Sequence, residues 1–212
     1  MTYTHVLWDF NGTILNDLDT GIQCANALLK RRNMKTMNSL EEYYNVFGFP
    51  IIKYYERLGF DFEKESYDVL AKEWVKEYKY YSKNSKIHDG IIDVFEKIKA
   101  HNIPQFILSA TEKDMLIEQV KGLGIDKYFD DILGLDNFHA HSKVEIGKEW
   151  KANIKPQKAV LIGDTIHDYE VAKEIGIDCI LIAKGHQNKE LLTTCGVTVL
   201  DDVSELIKLH LV

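Results

Sequence analysis

Asp9 ends an apolar run, His5-Val6-Leu7-Trp8, and is followed by Phe10-Asn11-Gly12-Thr13-Ile14-Leu15. This order reads as a buried strand that delivers a carboxylate to its carboxyl end and then turns sharply at a glycine. A carboxylate there can act as a nucleophile, as a metal ligand, or as both. Three other stretches offer partners. Gln105-Phe106-Ile107-Leu108 ends in Ser109, followed by Ala110 and Thr111. Ala159-Val160-Leu161-Ile162 ends in Gly163-Asp164, with Asp168 one helical turn on, and Lys143 opens a helical stretch between the two. Ligands of open parallel sheets sit at the carboxyl ends of the strands, so carboxylates, a hydroxyl and an ammonium group would meet at one mouth. Gathered carboxylates raise one another's pKa unless a cation joins them, and oxygen ligands with some water suit Mg²⁺. The chemistry that fits is phosphoryl transfer. Ser109 and Lys143 would hold phosphate oxygens, the backbone N–H groups after Asp9 would assist, and Asp9 would carry the phosphoryl group between two displacements.

Such a site needs several strands ending at one edge. From Asp17 to Lys83 apolar residues recur at helical spacing and no strand pattern occurs. Asn16-Asp17 is suited to cap a helix through Ile22, Ala25, Leu28 and Leu29, and Lys30-Arg31-Arg32 reads as its solvated basic end. Ser39-Leu40-Glu41-Glu42 is a capping-box signature for a second helix, which Phe47-Gly48-Phe49-Pro50 breaks. A third short helix carries Tyr54 and Tyr55, and a longer one is expected over 62–81. The tyrosines of this region read as mixed packing with wet hydroxyls. From His88 onward strands and helices alternate. Strands are expected over 105–109, 131–134, 159–164, 179–183 and 197–200. Helices are expected over 90–100, 112–123, 142–151, 167–175, weakly over 187–193, and from Val203 to the end. Short apolar strands alternating with helices indicate an α/β fold with a parallel sheet covered on both faces. The expected organisation is an α/β core over 1–16 and 84–212, with a helical insertion over 17–83.

Composition sets the surrounding limits. The 212 residues are 45% hydrophobic and 28% charged, enough for a sizeable core. A net charge of -7 argues against nucleic acid or an anionic membrane as partner, because both need a basic footprint. No stretch approaches a membrane span or a signal peptide. Cys24, Cys179 and Cys195 are odd in number and far apart, which reads as reduced thiols in a cytoplasmic protein, with Cys179 in the core. A monomer or homodimer acting on a small phosphorylated molecule is expected.

Asp9-Phe10-Asn11-Gly12-Thr13-Ile14, the apolar run ending in Ser109, Lys143, and Gly163-Asp164 with Asp168 resemble, in order and spacing, the four motifs of the haloacid dehalogenase superfamily. The helical insertion after the first motif looks like the small cap of its phosphoglycolate phosphatase and β-phosphoglucomutase branch. The resemblance spans essentially the whole chain. It implies a Rossmann-like sheet in the order 3-2-1-4-5 and Asp9 as nucleophile. It implies Mg²⁺ held by Asp9, the backbone carbonyl of Asn11 and Asp164, with Asp168 as a direct or water-mediated partner. It implies phosphate held by Ser109 and Lys143, with the main chain around Asn11, Gly12 and Ala110. The proline that often follows the motif lysine in related phosphatases is missing after Lys143, so Lys148 is a second candidate.

The chain departs from that pattern at position 11, where phosphatases of the superfamily carry an aspartate as general acid and base. An amide does neither job at neutral pH, and losing such a group typically costs about 10²–10⁴ in rate. Asn retains only the backbone carbonyl needed for a metal. Four explanations compete. The substrate has a good leaving group, such as an acyl or otherwise activated phosphate; or His139, His141 or His167 substitutes; or the protein is a slow enzyme or a phosphate-responsive binding protein; or Asn11 is an introduced substitution or a deamidation site before Gly12. A working phosphatase, slow or selective for activated phosphates, is the favoured reading. A phosphomutase and a non-catalytic phosphate-binding protein are the alternatives. Phosphonate cleavage would need a cap lysine, and Lys30, Lys53 and Lys64 have no distinguishing context.

Overall fold

The computed structural model describes residues 3–135 and 142–209. In chain order, β1 (His5–Trp8) and β2 (Leu15–Asn16) lead into the helices α1 (Leu18–Arg31), α2 (Leu40–Val46), α3 (Ile51–Arg57) and α4 (Tyr67–Tyr81). There follow β3 (Lys86–Ile87), α5 (Ile91–Ala100), β4 (Gln105–Glu112), α6 (Lys113–Gly122) and β5 (Asp131–Leu135). The chain closes with α7 (Lys143–Ile154), β6 (Ala159–Gly163), α8 (Ile166–Ile175), β7 (Asp178–Ile182), α9 (Lys189–Thr193) and β8 (Thr198–Leu200). The strands β2 and β3 pair only with each other. The chain divides into two compact units, residues 1–15 with 87–212 and residues 16–86.

The first unit is built on a parallel sheet in the order β5-β4-β1-β6-β7-β8. Counted along the chain this is 3-2-1-4-5, as expected, with a sixth strand added at the edge. Alternation along β1 sends its side chains to opposite faces. Val6 and Trp8 pack with Phe95, Ile107 and Ile162, whereas Leu7 packs with Leu108, Trp150 and Leu161. Both faces are therefore apolar and β1 is central, which makes its carboxyl end the middle of the sheet edge. A buried amide ties the strands together. Gln105 accepts from Trp8 Nε1 at 3.1 Å and donates to the carbonyl of Phe95 at 3.1 Å. Cys179 is buried, as expected for a core thiol.

The second unit is helical, around Leu28, Leu29, Tyr43, Tyr54, Tyr55 and Leu70. Its polar groups behave differently from the sequence reading in three places. Asp17 precedes α1 without capping it; its carboxylate accepts from the Tyr78 hydroxyl at 2.9 Å. Tyr78 is buried, so its hydroxyl is satisfied by Asp17 instead of water. Lys30 and Arg31 are exposed at the end of α1, as expected, whereas Arg32 is half-buried. Arg32 reaches Glu65 and Glu73, and Arg31 reaches Glu77, because the long guanidinium stems lie along α4.

Three boundaries also shift. The helix expected from residue 62 begins at Tyr67, since Ser66 accepts from the Asp68 N–H and so starts it later. The last strand before α6 runs on to Glu112, which caps that helix through the N–H groups of Asp114 and Met115. The terminal helix is a short 3₁₀ segment, Val203–Ile207. Among the described residues no helix is long and apolar enough to cross a membrane.

Candidate active site

Parallel register brings the site together. Trp8 stands beside Ile107 on one side and Ile162 on the other, so Asp9, Ser109 and Asp164 all follow at one sheet edge. The Asp9 N–H bonds the Ile162 carbonyl at 2.8 Å, which pins the start of the turn. Carboxylate oxygens of Asp9, Asp164 and Asp168 lie within 4.8 Å of one another, and all three residues are buried.

Lys143 enters this cluster from the first position of α7. Ser142 and Glu145 form a capping box that fixes the helix start. One turn on, Gly147 lets the helix pack closely: a Cβ there would lie 2.1 Å from Ile175 Cδ1. The Lys143 ammonium, only 4% exposed as a residue, donates to Asp9 Oδ1 at 2.5 Å and Asp168 Oδ1 at 2.6 Å. Lys148 is instead on the surface, 3.3 Å from Glu174, because it lies on the opposite side of the helix from the cluster.

Asp168 has two jobs. Its Oδ2 accepts from the Thr165 hydroxyl at 2.6 Å and from the N–H groups of Thr165 and Asp164 at 3.0 and 3.2 Å, capping α8. Its Oδ1 faces Lys143. Asp164 is fully buried and accepts from the Thr13 hydroxyl at 3.0 Å and the His186 N–H at 2.6 Å. Asn11 accepts at Oδ1 from the Thr111 hydroxyl at 2.8 Å, and Ser109 Oγ accepts from the Thr111 N–H at 3.1 Å. Ser109 is buried within β4, where the register with β5 shifts, and is not the cap of α6, whereas the neighbouring Ala110 is exposed. His88 Nε2 lies 3.0 Å from the Gly12 carbonyl.

Electrostatics follow from burial. Burial pushes the Asp9 carboxyl up to about 8 against the attraction of Lys143, with repulsion from Asp168 and Asp164 adding to the rise. Burial also raises Asp164, to about 6, opposed by His186. Burial acts to raise Asp168 too, but the Lys143 charge and hydrogen bond, with that of Thr165, outweigh it and hold the group below its ordinary value. Lys143 stays protonated: burial disfavours its charge, and Asp168 and Asp9 more than compensate. Three carboxylates thus face one ammonium, and the ionised cluster is short of two positive charges. That deficit, with an all-oxygen donor set, fits a divalent cation.

Several site residues carried no recognised signal in the sequence. Thr165, Gly185, His186 and His88 reach the site from loops whose positions only the fold supplies. The Gly185-His186 pair follows β7, the next strand along the same edge, and that placement was the available clue. His167 is partly buried, with its ring lowered chiefly by burial and 3.8 Å from Glu170. His139 and His141 lie outside the described residues.

Two glycines are required by close approach. Gly12 has φ +77°, and a Cβ there would sit 2.2 Å from Asp164 Oδ2 and 2.6 Å from the His186 ring. At Gly185 a Cβ would sit 2.1 Å from the same oxygen. Gly12→Ala is expected to cost about 1–2 kcal/mol for its left-handed backbone alone, with displacement of Asp164 besides. Chemical denaturation measures the first effect, and weakened divalent-cation binding by calorimetry measures the second. A variant with unchanged denaturation midpoint and unchanged cation affinity would refute this account of the turn.

Residues 6–182 match the family model of the haloacid dehalogenase-like hydrolases. The chain belongs to this family. It is 26% identical over 180 residues to a pyrophosphatase, PpaX, of Listeria innocua, covering 80% of this chain and 78% of that protein. It is 21% identical over 197 residues to a phosphoglycolate phosphatase of Thiobacillus denitrificans, covering 89% and 86%. A haloacid dehalogenase-like family protein from Streptococcus pneumoniae shares the fold, with a TM-score of 0.76 at 22% identity over 97% of each chain.

Proposed function

We propose that this protein is a Mg²⁺-dependent phosphatase that works through an aspartyl-phosphate on Asp9 and favours substrates whose leaving group needs no proton. The observation that carries the reading is the buried cluster of Asp9, Asp164 and Asp168 around the Lys143 ammonium. Asp9 is the nucleophile. Lys143 and Ser109 hold the non-bridging phosphate oxygens, with main-chain groups at Asn11, Gly12 and Ala110 completing the phosphate site. Mg²⁺, when held by Asp9, Asp164, the main-chain carbonyl of Asn11 and Asp168 directly or through water, neutralises charge between the carboxylates and the incoming phosphate. Thr13 and the His186 N–H orient Asp164 for that role, and Thr165 does the same for Asp168. Residues 17–83 serve in this reading as a cap domain that selects the substrate.

Asn11 decides the leaving group. Its amide oxygen is held by Thr111 and neither delivers a proton to a departing alkoxide nor takes one from water. A departing phosphate or carboxylate is stable as an anion and needs no such help. The names of the relatives include both an anhydride and a monoester hydrolase, and Asn11 favours the anhydride side.

The test is a phosphate-release assay with and without Mg²⁺ on acyl phosphates, pyrophosphate and alkyl phosphate monoesters. Wild type is expected to release phosphate from the first two in the presence of Mg²⁺. Asn11→Asp is expected to gain about 10²-fold on alkyl monoesters. Absence of turnover in both proteins, together with Mg²⁺-dependent binding of a phosphate mimic, would replace this reading with that of a binding protein.

A further inference from the structure

We propose that Gly134, on β5 and outside the residues so far assigned to the site, is a positioning residue for phosphate binding. It admits a bulge in β4 through which Thr111 sets the hydrogen-bonding roles of Ser109 and Asn11. This rests on the phosphatase reading above and adds to it a residue that never touches the substrate.

The bulge shows in the register. Leu108 faces Leu133, yet Glu112 faces Leu135, so Ser109, Ala110 and Thr111 together stand opposite Gly134 alone. Surplus residues in one strand bend it and re-aim its side chains. Here the re-aimed residues are those at the carboxyl edge of the sheet, beside the turn that carries Asp9 and Asn11.

Gly134 is buried, and the space around it is taken by backbone. A Cβ there would lie 2.8 Å from the Thr111 carbonyl oxygen, 2.7 Å from Lys113 Cα and 3.1 Å from Lys113 N. Its φ is not in the left-handed region, so close approach, and not backbone angle, excludes a side chain. A glycine inside a strand weakens that strand, and the near approach of another backbone is a physical reason to keep one. No flexible side-chain end is there to give way to a methyl group. The bulge itself must move.

Thr111 moves with it, and Thr111 holds two groups of the site. Its N–H donates to Ser109 Oγ at 3.1 Å, and its hydroxyl donates to Asn11 Oδ1 at 2.8 Å. The first bond uses the Ser109 oxygen as an acceptor. Among the described residues Ser109 makes no other side-chain hydrogen bond, so its proton is left for an oxygen that the chain does not supply. A phosphate oxygen answers that need. The three carboxylates stand on other elements: Asp9 follows β1, Asp164 follows β6 and Asp168 lies in α8. A shift of the bulge therefore separates phosphate binding from cation binding.

The test compares Gly134→Ala with Gly122→Ala, whose Cβ would meet nothing within 4 Å. Mg²⁺ affinity, affinity for inorganic phosphate in saturating Mg²⁺, and kcat and KM on pyrophosphate are measured for both variants and wild type. Gly134→Ala is expected to keep its Mg²⁺ affinity and to bind phosphate about 10-fold more weakly, for the loss of an oriented donor to a charged group. It is expected to lose about 10²-fold in kcat/KM through misplacement of the phosphate. Gly122→Ala is expected to match wild type. In wild type, inorganic phosphate with Mg²⁺ is expected to shift the amide resonances of Thr111 and Gly134 together, a readout that needs no variant to fold. Unchanged phosphate affinity and KM in folded Gly134→Ala, or no phosphate-induced shift at Thr111 and Gly134, would overturn the proposal and leave the phosphatase reading standing. Mg²⁺ and phosphate affinities that fall in step would reduce Gly134 to a packing residue and overturn it as well. Wild type that neither binds phosphate nor releases it from pyrophosphate would overturn both.

Discussion

Asp9→Asn is expected to lower phosphate release by about 10⁴-fold or more, in keeping with the loss of a covalent nucleophile, while leaving the protein folded. The two outcomes are separable because of where Asp9 lies. Its carboxyl is buried, and burial raises its pKa from 3.8 to about 8. In the cation-free protein this group disfavours folding once it must ionise. Below its unfolded pKa both states are protonated and nothing is lost. Between about 4 and about 8 the unfolded chain releases a proton that the folded chain keeps, so stability falls as pH rises through that window. The amide of Asp9→Asn has no such titration. Lys143 keeps Asp168 as a partner at 2.6 Å. The variant should therefore match or exceed wild-type stability at pH 7 in a chelator, and its stability should vary less with pH. Thermal unfolding across pH together with the release assay checks both parts. Undiminished release in a well-folded variant would remove Asp9 from the nucleophile's place.

Lys143→Met is expected to damage fold and chemistry together. The ammonium is buried and is the shared donor to Asp9 and Asp168. Its removal leaves buried carboxylates without their cation, which costs about 3–5 kcal/mol when one member of a buried pair is lost. For a protein of this size that is a fall of roughly 6–20 °C in unfolding temperature. Release is expected to fall by about 10³-fold as well, because a fixed donor to the phosphate oxygens is gone. Added Mg²⁺ should recover part of the stability, since a divalent cation answers the same charge deficit, but not the activity. A variant with wild-type unfolding temperature in chelator would contradict the role assigned to the Lys143 bridge.

Much of this was legible along the chain because the signals are local. Alternating short apolar strands and helices dictate a parallel sheet, and an apolar run ending in Asp9 places that residue at a strand end. Ser109 and Asp164 follow by the same rule. The helix expected from residue 142 puts Lys143 at its start, where α7 begins. Lys148 stood as a second candidate because no proline follows Lys143, and only the fold places Lys148 on the surface beside Glu174 with Lys143 in the cluster. The Arg31 and Arg32 partners were invisible, because Glu65, Glu73 and Glu77 lie more than thirty positions away and reach them only through the packing of the helical unit.

The sequence by itself determined the class of fold, the strand ends that carry carboxylates, and the presence of an amide at position 11. These depend on residue type and on periodicity, which neighbours along the chain set. Tertiary structure alone decided what those groups meet: Lys143 between Asp9 and Asp168, Thr13 and the His186 N–H on Asp164, Thr111 on Asn11. Such contacts join residues up to about 150 positions apart, as in Thr13 with Asp164. Their geometry follows from strand register and from glycines that admit no Cβ, and neither is a property of any short stretch of chain.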